Sequence, residues 1–363
     1  MLQRSLFFIL SAILFAMPAL ACTDFMIIAK DKTLINGRTM DFGILDEAKV
    51  TVYPKGKKWK SSDYGNIQGF QWKQTIGFVG FSVFGKEASS EGMNEAGLTA
   101  KALWLPSAED FQGKPNKNSK NIIEAILIPD WILGNFTTVA DVKKQLPNLF
   151  VWANKLPQLG GLPTLHVAVH DLDGNNLVAE WVDGKLNMYD NPLGVMTNEP
   201  PFPMQLSNLR NYVNLSPWVQ KDLVLRGEHI SGTGNGSGLL GLPGDCTPPS
   251  RFVRTAIWQQ FAYQPSNKNE AINLARHLLD KVSVIKGTSR KIIIENNKKT
   301  EVADYTQWSS IEDMTNRVIY FSNYYDQTLQ SIDLKKIDFT RSDYKPISVM
   351  HISGNAIKDV TPR

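Results

Sequence analysis

Near the start of the chain, two apolar, β-compatible runs flank a short polar turn. Residues 22–29 and 33–42 lie on either side of Lys30-Asp31-Lys32. That pattern predicts an antiparallel hairpin. With its turn centred near Asp31, Cys22 falls opposite about residue 40. Residues 75–84 predict a buried strand. Glu91 to Leu98 predicts a glycine-bounded turn, and Leu98 to Leu105 the strand after it. Residues 122–134 carry apolar positions at helical spacing, interrupted by Pro129. Thr138 and Asp141 form a capping box for a second helix, which Pro147 closes. Over residues 163–189 the period changes to two. Turns at Asp173-Gly174-Asn175 and Asp183-Gly184 divide that stretch into a β-meander. Helical spacing returns over 251–262, and again from an Asn267 cap to about Lys281. Residues 316–325 predict a late strand after a turn at Glu312-Asp313, and residues 340–363 a polar surface tail.

Strands come first, helices lie in the middle and strands return. This order fits an α+β layered domain better than a βαβ array. There is no clear internal repeat, low-complexity tract or linker, so residues 22–363 are expected to form a single catalytic domain. Residues 1–21 are expected to be a signal peptide. Arg4 supplies the charged start, Leu6 to Ala16 the apolar stretch, and Ala19-x-Ala21 the small-residue cleavage site. The protein is therefore expected to be exported, to a periplasmic or extracellular location.

Composition narrows the function classes. An apolar fraction of 42% and a charged fraction of 20% fit a globular protein with a sizeable core. A net charge of +4, of which Arg4 leaves with the signal, is too mild to argue for nucleic acid. The cluster Lys55/Lys57/Lys58/Lys60 is expected to be a solvated face. Nothing after the signal is long and apolar enough to predict a membrane span. The histidines show no metal-ligand spacing and no phosphate-binding glycine loop is present, so no metal or cofactor is expected. His166 and His170 fall on the meander and are expected to be structural, because no carboxylate lies at motif spacing from them.

The chemistry concentrates at Cys22. Cleavage after Ala21 gives this cysteine a free α-amine, and so joins a nucleophile and a base in one residue. The thiolate is the attacking species, and an α-amine titrates near ~7.7–8. Arg38 and Asp41 flank the position opposite Cys22. The guanidinium would lower the thiol pKa, and the carboxylate would hold the α-ammonium. The two have opposite parity on a regular strand, which calls for either a bulge, for which Gly37 offers a place, or a strand end. Cys246 is the only other cysteine, and a bridge to it would silence Cys22.

Cys22 followed by Asn36-Gly37-Arg38-Thr39-Met40-Asp41-Phe42 resembles the choloylglycine hydrolase family of N-terminal-nucleophile amidases, which includes bile salt hydrolases, penicillin V acylases and some N-acyl-homoserine lactone acylases. Glu91-Gly92-Met93-Asn94-Glu95-Ala96-Gly97-Leu98, Asp190 to Pro200, Leu242-Pro243-Gly244-Asp245 with Ser250-Arg251-Phe252-Val253-Arg254, and the late Asp313 to Phe321 stretch extend the resemblance along the chain. It implies a four-layer αββα sandwich and hydrolysis of linear amides without a metal or cofactor. It implies Cys22, Arg38, Asp41, Asn198 and Arg251 as the catalytic set. In that set Asn198 donates to the oxyanion and Arg251 orients the charged network, while Arg254 is a surface or structural residue.

Trp104 stands where, by resemblance, bile salt hydrolases have an asparagine. With Phe25 and Met26 it predicts a flat apolar acyl pocket, and so penicillin V or long-chain N-acyl amides ahead of conjugated bile salts. Family members are often homotetramers. A rival reading from another class is a lipid-anchored binding protein without catalysis. The order of Ala19 and Leu20 departs from the lipoprotein box.

Overall fold

The structure, a computed structural model, describes residues 21–43, 48–159, 161–295 and 298–350. Most of the expected signal, residues 1–20, and the end of the expected tail, residues 351–363, lie outside the described residues.

Two antiparallel sheets form the centre. The first runs in the order Val195–Met196, Ala21–Ile28, Leu34–Phe42, Lys298–Asp313, Val318–Asn323, Asp326–Asp333, with Ser289–Glu295 also pairing Lys298–Asp313. The second runs Lys185–Asp190, Asn176–Val182, Leu165–His170, Thr99–Trp104, Ser89–Asn94, Phe78–Ser82, Lys49–Tyr53, Ile347–Ser348. Helices Pro248–Phe261 and Lys268–Val282 cover the outer face of the first sheet, where Ala271, Ala275 and Leu278 meet Phe25, Ile27, Ile35 and Ile311. Helix Ile128–Asn135 covers the second, with Trp131 and Ile132 packed over Phe78, Ala100 and Val167. Between the sheets Met26, Val79, Phe81, Met93 and Trp308 form the middle of the core. This is the expected αββα sandwich.

The first hairpin has the expected register, with Cys22 opposite Met40. The meander and the Asn267 cap also stand as read, the Asn267 side chain accepting from the backbone N–H groups of Asn269 and Glu270. Thr138 likewise accepts from the Asp141 N–H.

Several local readings are corrected. Ile122–Glu124 is a short strand, and Pro129 sits in the first turn of the helix that follows instead of interrupting one. A proline in the first turn forfeits no helical hydrogen bond. Glu91 to Asn94 belongs to a strand, and only the Asn94–Gly97 segment turns, closed by the Asn94 Oδ1 on the Ala96 and Leu98 N–H groups. Glu312 and Asp313 end a sixteen-residue strand, Lys298–Asp313, that lies between the first hairpin and the late strand. Of the expected tail, residues 340–348 lie almost wholly at the surface as read, but Ile347–Ser348 pairs with Lys49–Val50 and Val349 is fully buried.

Candidate active site

Cys22 lies in the first strand of the hairpin, 3% exposed, at the wall of an apolar cavity that Phe42, Phe84, Trp104, Leu159 and Leu165 also line. Cys22 N is still joined to Ala21 here and stands for the α-amine that cleavage would release.

The hairpin register is unbroken through Gly37, so the expected bulge is not there. Gly37 has a different duty. A Cβ at that position would lie 2.4 Å from the Phe25 ring, so glycine lets that ring cross the hairpin. The irregularity sits at Gln307 on the neighbouring strand, between the pairs Thr306–Asp41 and Trp308–Met40. The extra residue turns Thr306 to the helix side and Trp308 to the inter-sheet side, as a bulge re-aims side chains.

Arg38 points between the sheets. Its Nη1 donates to Ser90 O at 2.8 Å and its Nη2 to Ala102 O at 2.7 Å, while Nη2 stands 3.9 Å from Cys22 Sγ. Asp41 points to the helices. It accepts from Thr306 Oγ1 at 2.5 Å and Thr39 Oγ1 at 3.1 Å, and lies 4.0 Å from Arg251 Nη1. Arg251 and Asn198 complete this side. Arg251 Nη1 donates to Cys22 O at 2.5 Å and Thr23 Oγ1 at 2.6 Å, and Nη2 to Asn198 Oδ1 at 2.9 Å. Asn198 Oδ1 also accepts from Cys22 N at 2.5 Å, and Asn198 Nδ2 donates to Trp104 O at 2.8 Å. The other four candidates therefore converge on Cys22, and Trp104 stands beside them.

The Cys22 N–H is taken by Asn198 and not by Asp41. The Asn198 amide already spends one hydrogen on Trp104 O, which leaves one for an oxyanion. Trp104 Nε1 is buried in the cavity wall with no hydrogen-bond partner among the described residues. Phe25 and Met26 do not line this cavity. Phe25 packs under the helices and Met26 between the sheets. Arg254 is structural, holding Pro243 O and Asp245 O at 2.9 Å and Lys281 O at 2.8 Å. Cys22 and Cys246 are both free thiols.

Burial pushes the Cys22 thiol above its usual pKa, against the Arg38 charge that pulls it down. Burial also lifts Asp41 to about 6, although Arg251 and the Thr306 and Thr39 hydroxyls favour its charged form.

Behind Arg38 lies a set of buried charges that the sequence reading missed. Glu91 Oε1 is 3.7 Å from Arg38 Nη1, Lys101 Nζ is 3.5 Å from Glu91 Oε2, and Lys101 also pairs with Glu312. Trp308 Nε1 at 2.6 Å and Ser310 Oγ at 2.7 Å donate to Glu91. His170 Nε2 meets Asp24 Oδ2 at 2.7 Å, and His166 Nδ1 meets Glu180 Oε1 at 2.9 Å. Each histidine thus has a carboxylate partner, supplied by another strand. The available signal was a charge in the middle of a strand: Glu91 and Lys101 form a cross-strand pair whose sequence neighbours are mostly small or apolar.

No helix among the described residues is long and apolar enough to cross a membrane. Residues 22–347 match the family of linear amide C–N hydrolases known as the choloylglycine hydrolase family. A bile salt hydrolase/transferase of Clostridium perfringens is 29% identical over 347 residues, covering 92% of this chain and 100% of that one. A penicillin V acylase of Pectobacterium atrosepticum is 27% identical, covering 88% and 83%. A crystal structure of a conjugated bile acid hydrolase variant from Clostridium perfringens superposes with a TM-score of 0.79 at 26% identity, covering 94% and 100% of the two chains. The chain is a member of the choloylglycine hydrolase family and an amide C–N hydrolase.

Proposed function

We propose that the protein is an exported amidase whose nucleophile is Cys22, freed by cleavage after Ala21. The observation that carries this reading is the position of Cys22 between two sets of partners. Its sulfur faces Arg38 and the cavity, and its nitrogen and carbonyl face Asn198 and Arg251. The start of the family match at residue 22 supports it.

The released α-amine takes the thiol proton, and the thiolate adds to the amide carbonyl. The remaining Asn198 Nδ2 hydrogen and the unpartnered Trp104 Nε1 are donors for the oxyanion. The amine then leaves with the proton held by the α-ammonium. Water, deprotonated by the same α-amine, cleaves the thioester and restores the thiol. Arg251 holds the Cys22 carbonyl and the Asn198 oxygen, and with them the nitrogen, in place.

The favoured substrate is an amide with an aryl or long alkyl acyl group, such as penicillin V or a long-chain N-acyl-homoserine lactone. Support comes from the wall of Phe42, Phe84, Trp104, Leu159 and Leu165, in which Phe42 and Phe84 meet edge to face at 5.7 Å. Burying each CH₂ there contributes ~0.8 kcal/mol. Conjugated bile salts are the second reading, favoured by relatives such as the Clostridium perfringens bile salt hydrolase/transferase. The deciding experiment is side-by-side kcat/KM on penicillin V, a long-chain acyl-homoserine lactone and glycocholate. A clear lead for glycocholate would establish the second reading, and no turnover of any of the three would remove both.

A further inference from the structure

The space between two packed sheets is ordinarily apolar. Here it holds Arg38, Glu91, Lys101, Glu312, Asp24 and His170, each at most 1% exposed. Burying an ion costs several kcal/mol, and apolar residues would fill the space without that cost. The charges alternate along a line that ends at the nucleophile: Glu312, Lys101, Glu91, Arg38, Cys22. Arg38 is the only member of this line in contact with the sulfur. Its guanidinium stands almost midway, 3.7 Å from Glu91 Oε1 and 3.9 Å from Cys22 Sγ.

We propose that Lys101 and Glu312 are positioning residues for the nucleophile: by holding Glu91 from behind, the Lys101 ammonium leaves the Arg38 charge shared with the Cys22 sulfur, and Glu312 sets how much of the Lys101 charge is felt there. The proposal rests on the amidase reading, in which Cys22 reacts as a thiolate. Glu91 stays ionised because Arg38 and Lys101 outweigh its burial, whereas burial lifts Glu312 to about 7 against Lys101. Other charges facing this group are Asp24 and His170, paired with each other, and Asp41 with Arg251 on the opposite face of the sheet. Neither Lys101 nor Glu312 lines the cavity.

The test is the pH dependence of Cys22 alkylation by iodoacetamide in the purified, processed protein, read by mass spectrometry on the Cys22 peptide so that Cys246 does not contribute. Lys101→Met removes the positive charge that holds Glu91 from behind, and its alkylation midpoint is expected to rise, by about one pH unit where Glu312 is ionised. Glu312→Gln leaves an uncompensated ammonium, and its midpoint is expected to fall by a similar amount. The double variant is expected to return near the wild-type midpoint. At an effective dielectric of ~20, one charge at this range moves a neighbouring equilibrium about tenfold. A merely structural role would shift both single variants in the same direction, and that outcome, or two unchanged midpoints, overturns the proposal. If Lys101→Met does not fold, the fall in Glu312→Gln decides alone. Because the readout is thiol chemistry, its failure is distinguishable from failure of the amidase reading, which shows instead as turnover retained in Cys22→Ala.

Discussion

Arg38 and Asp41 stand on opposite faces of one strand and both act on Cys22. Arg38 Nη2 approaches the sulfur at 3.9 Å from between the sheets. Asp41 works from the helix side through Arg251, 4.0 Å away, whose guanidinium holds the Cys22 carbonyl. No bulge in the hairpin is needed. Cys22, near the start of its strand, turns its side chain to one face and its backbone groups to residues of the other, so opposite parity becomes useful.

Removing the thiol tests the reaction directly. Cys22→Ala is expected to abolish turnover with little change in Tm, and Cys22→Ser to be far weaker than wild type, because a hydroxyl is the poorer nucleophile at neutral pH. Full activity in the alanine variant would end the mechanism.

The free terminus is a separate requirement. A protein retaining one extra residue before Cys22 is expected to be inactive, since its nitrogen is then an amide without basicity. Intact mass alongside kinetics checks this, and it also separates the lipid-anchored alternative, because diacylation at Cys22 adds a large mass.

Asn198 joins Cys22 N, Arg251 and Trp104 O through one side chain. Asn198→Ala is expected to lower kcat by about 10²–10³ if its remaining hydrogen serves the oxyanion. A rise in KM with kcat intact would place its role in binding alone.

Gly37→Ala tests the packing of the hairpin. The new methyl would meet the Phe25 ring, which is fully buried under the helices. Overpacking of this kind costs about 1–3 kcal/mol. Denaturant unfolding should show that loss. An unchanged midpoint would mean that the ring has room to move.

Asp130 gives stability a pH dependence. It is fully buried, accepts the Ser89 N–H at 2.9 Å through one oxygen, and leaves the other without a partner among the described residues. Burial lifts its pKa to about 7. The native state therefore keeps a proton that the unfolded chain gives up above ~4. Its contribution is full below that pH and is lost as pH rises through about 7. Asp130→Asn cannot titrate. The variant's Tm relative to wild type is expected to rise between pH 5 and pH 8, and a constant difference would contradict the buried, protonated carboxyl.

The local patterns carry much of the fold. Two apolar runs about a polar turn placed the hairpin, a period-two stretch placed the meander, and the Asn267 and Thr138 caps placed two helix starts, because a strand or helix segregates apolar residues by its own geometry. Cys22 opposite Met40 followed from the two apolar runs and the turn between them. The motifs around Arg38, Asn198 and Arg251 named residues that do meet at Cys22.

What the pattern lacks is the identity of the surface that covers each face. Glu91 reads along the chain as part of a turn and Lys101 as a charge in a strand, and the two became a line to the Cys22 sulfur only because a second sheet closed over them and excluded water. The bulge at Gln307 is one extra residue with no periodic signature, yet it turns Thr306 to Asp41 and Trp308 to Glu91. Asn198 and Arg251 lie 176 and 229 residues from Cys22, and their hydrogen bonds exist only once sheet and helix layers stack. Periodicity records which residues avoid water. The layering of the sandwich decides which of the buried polar groups face one another.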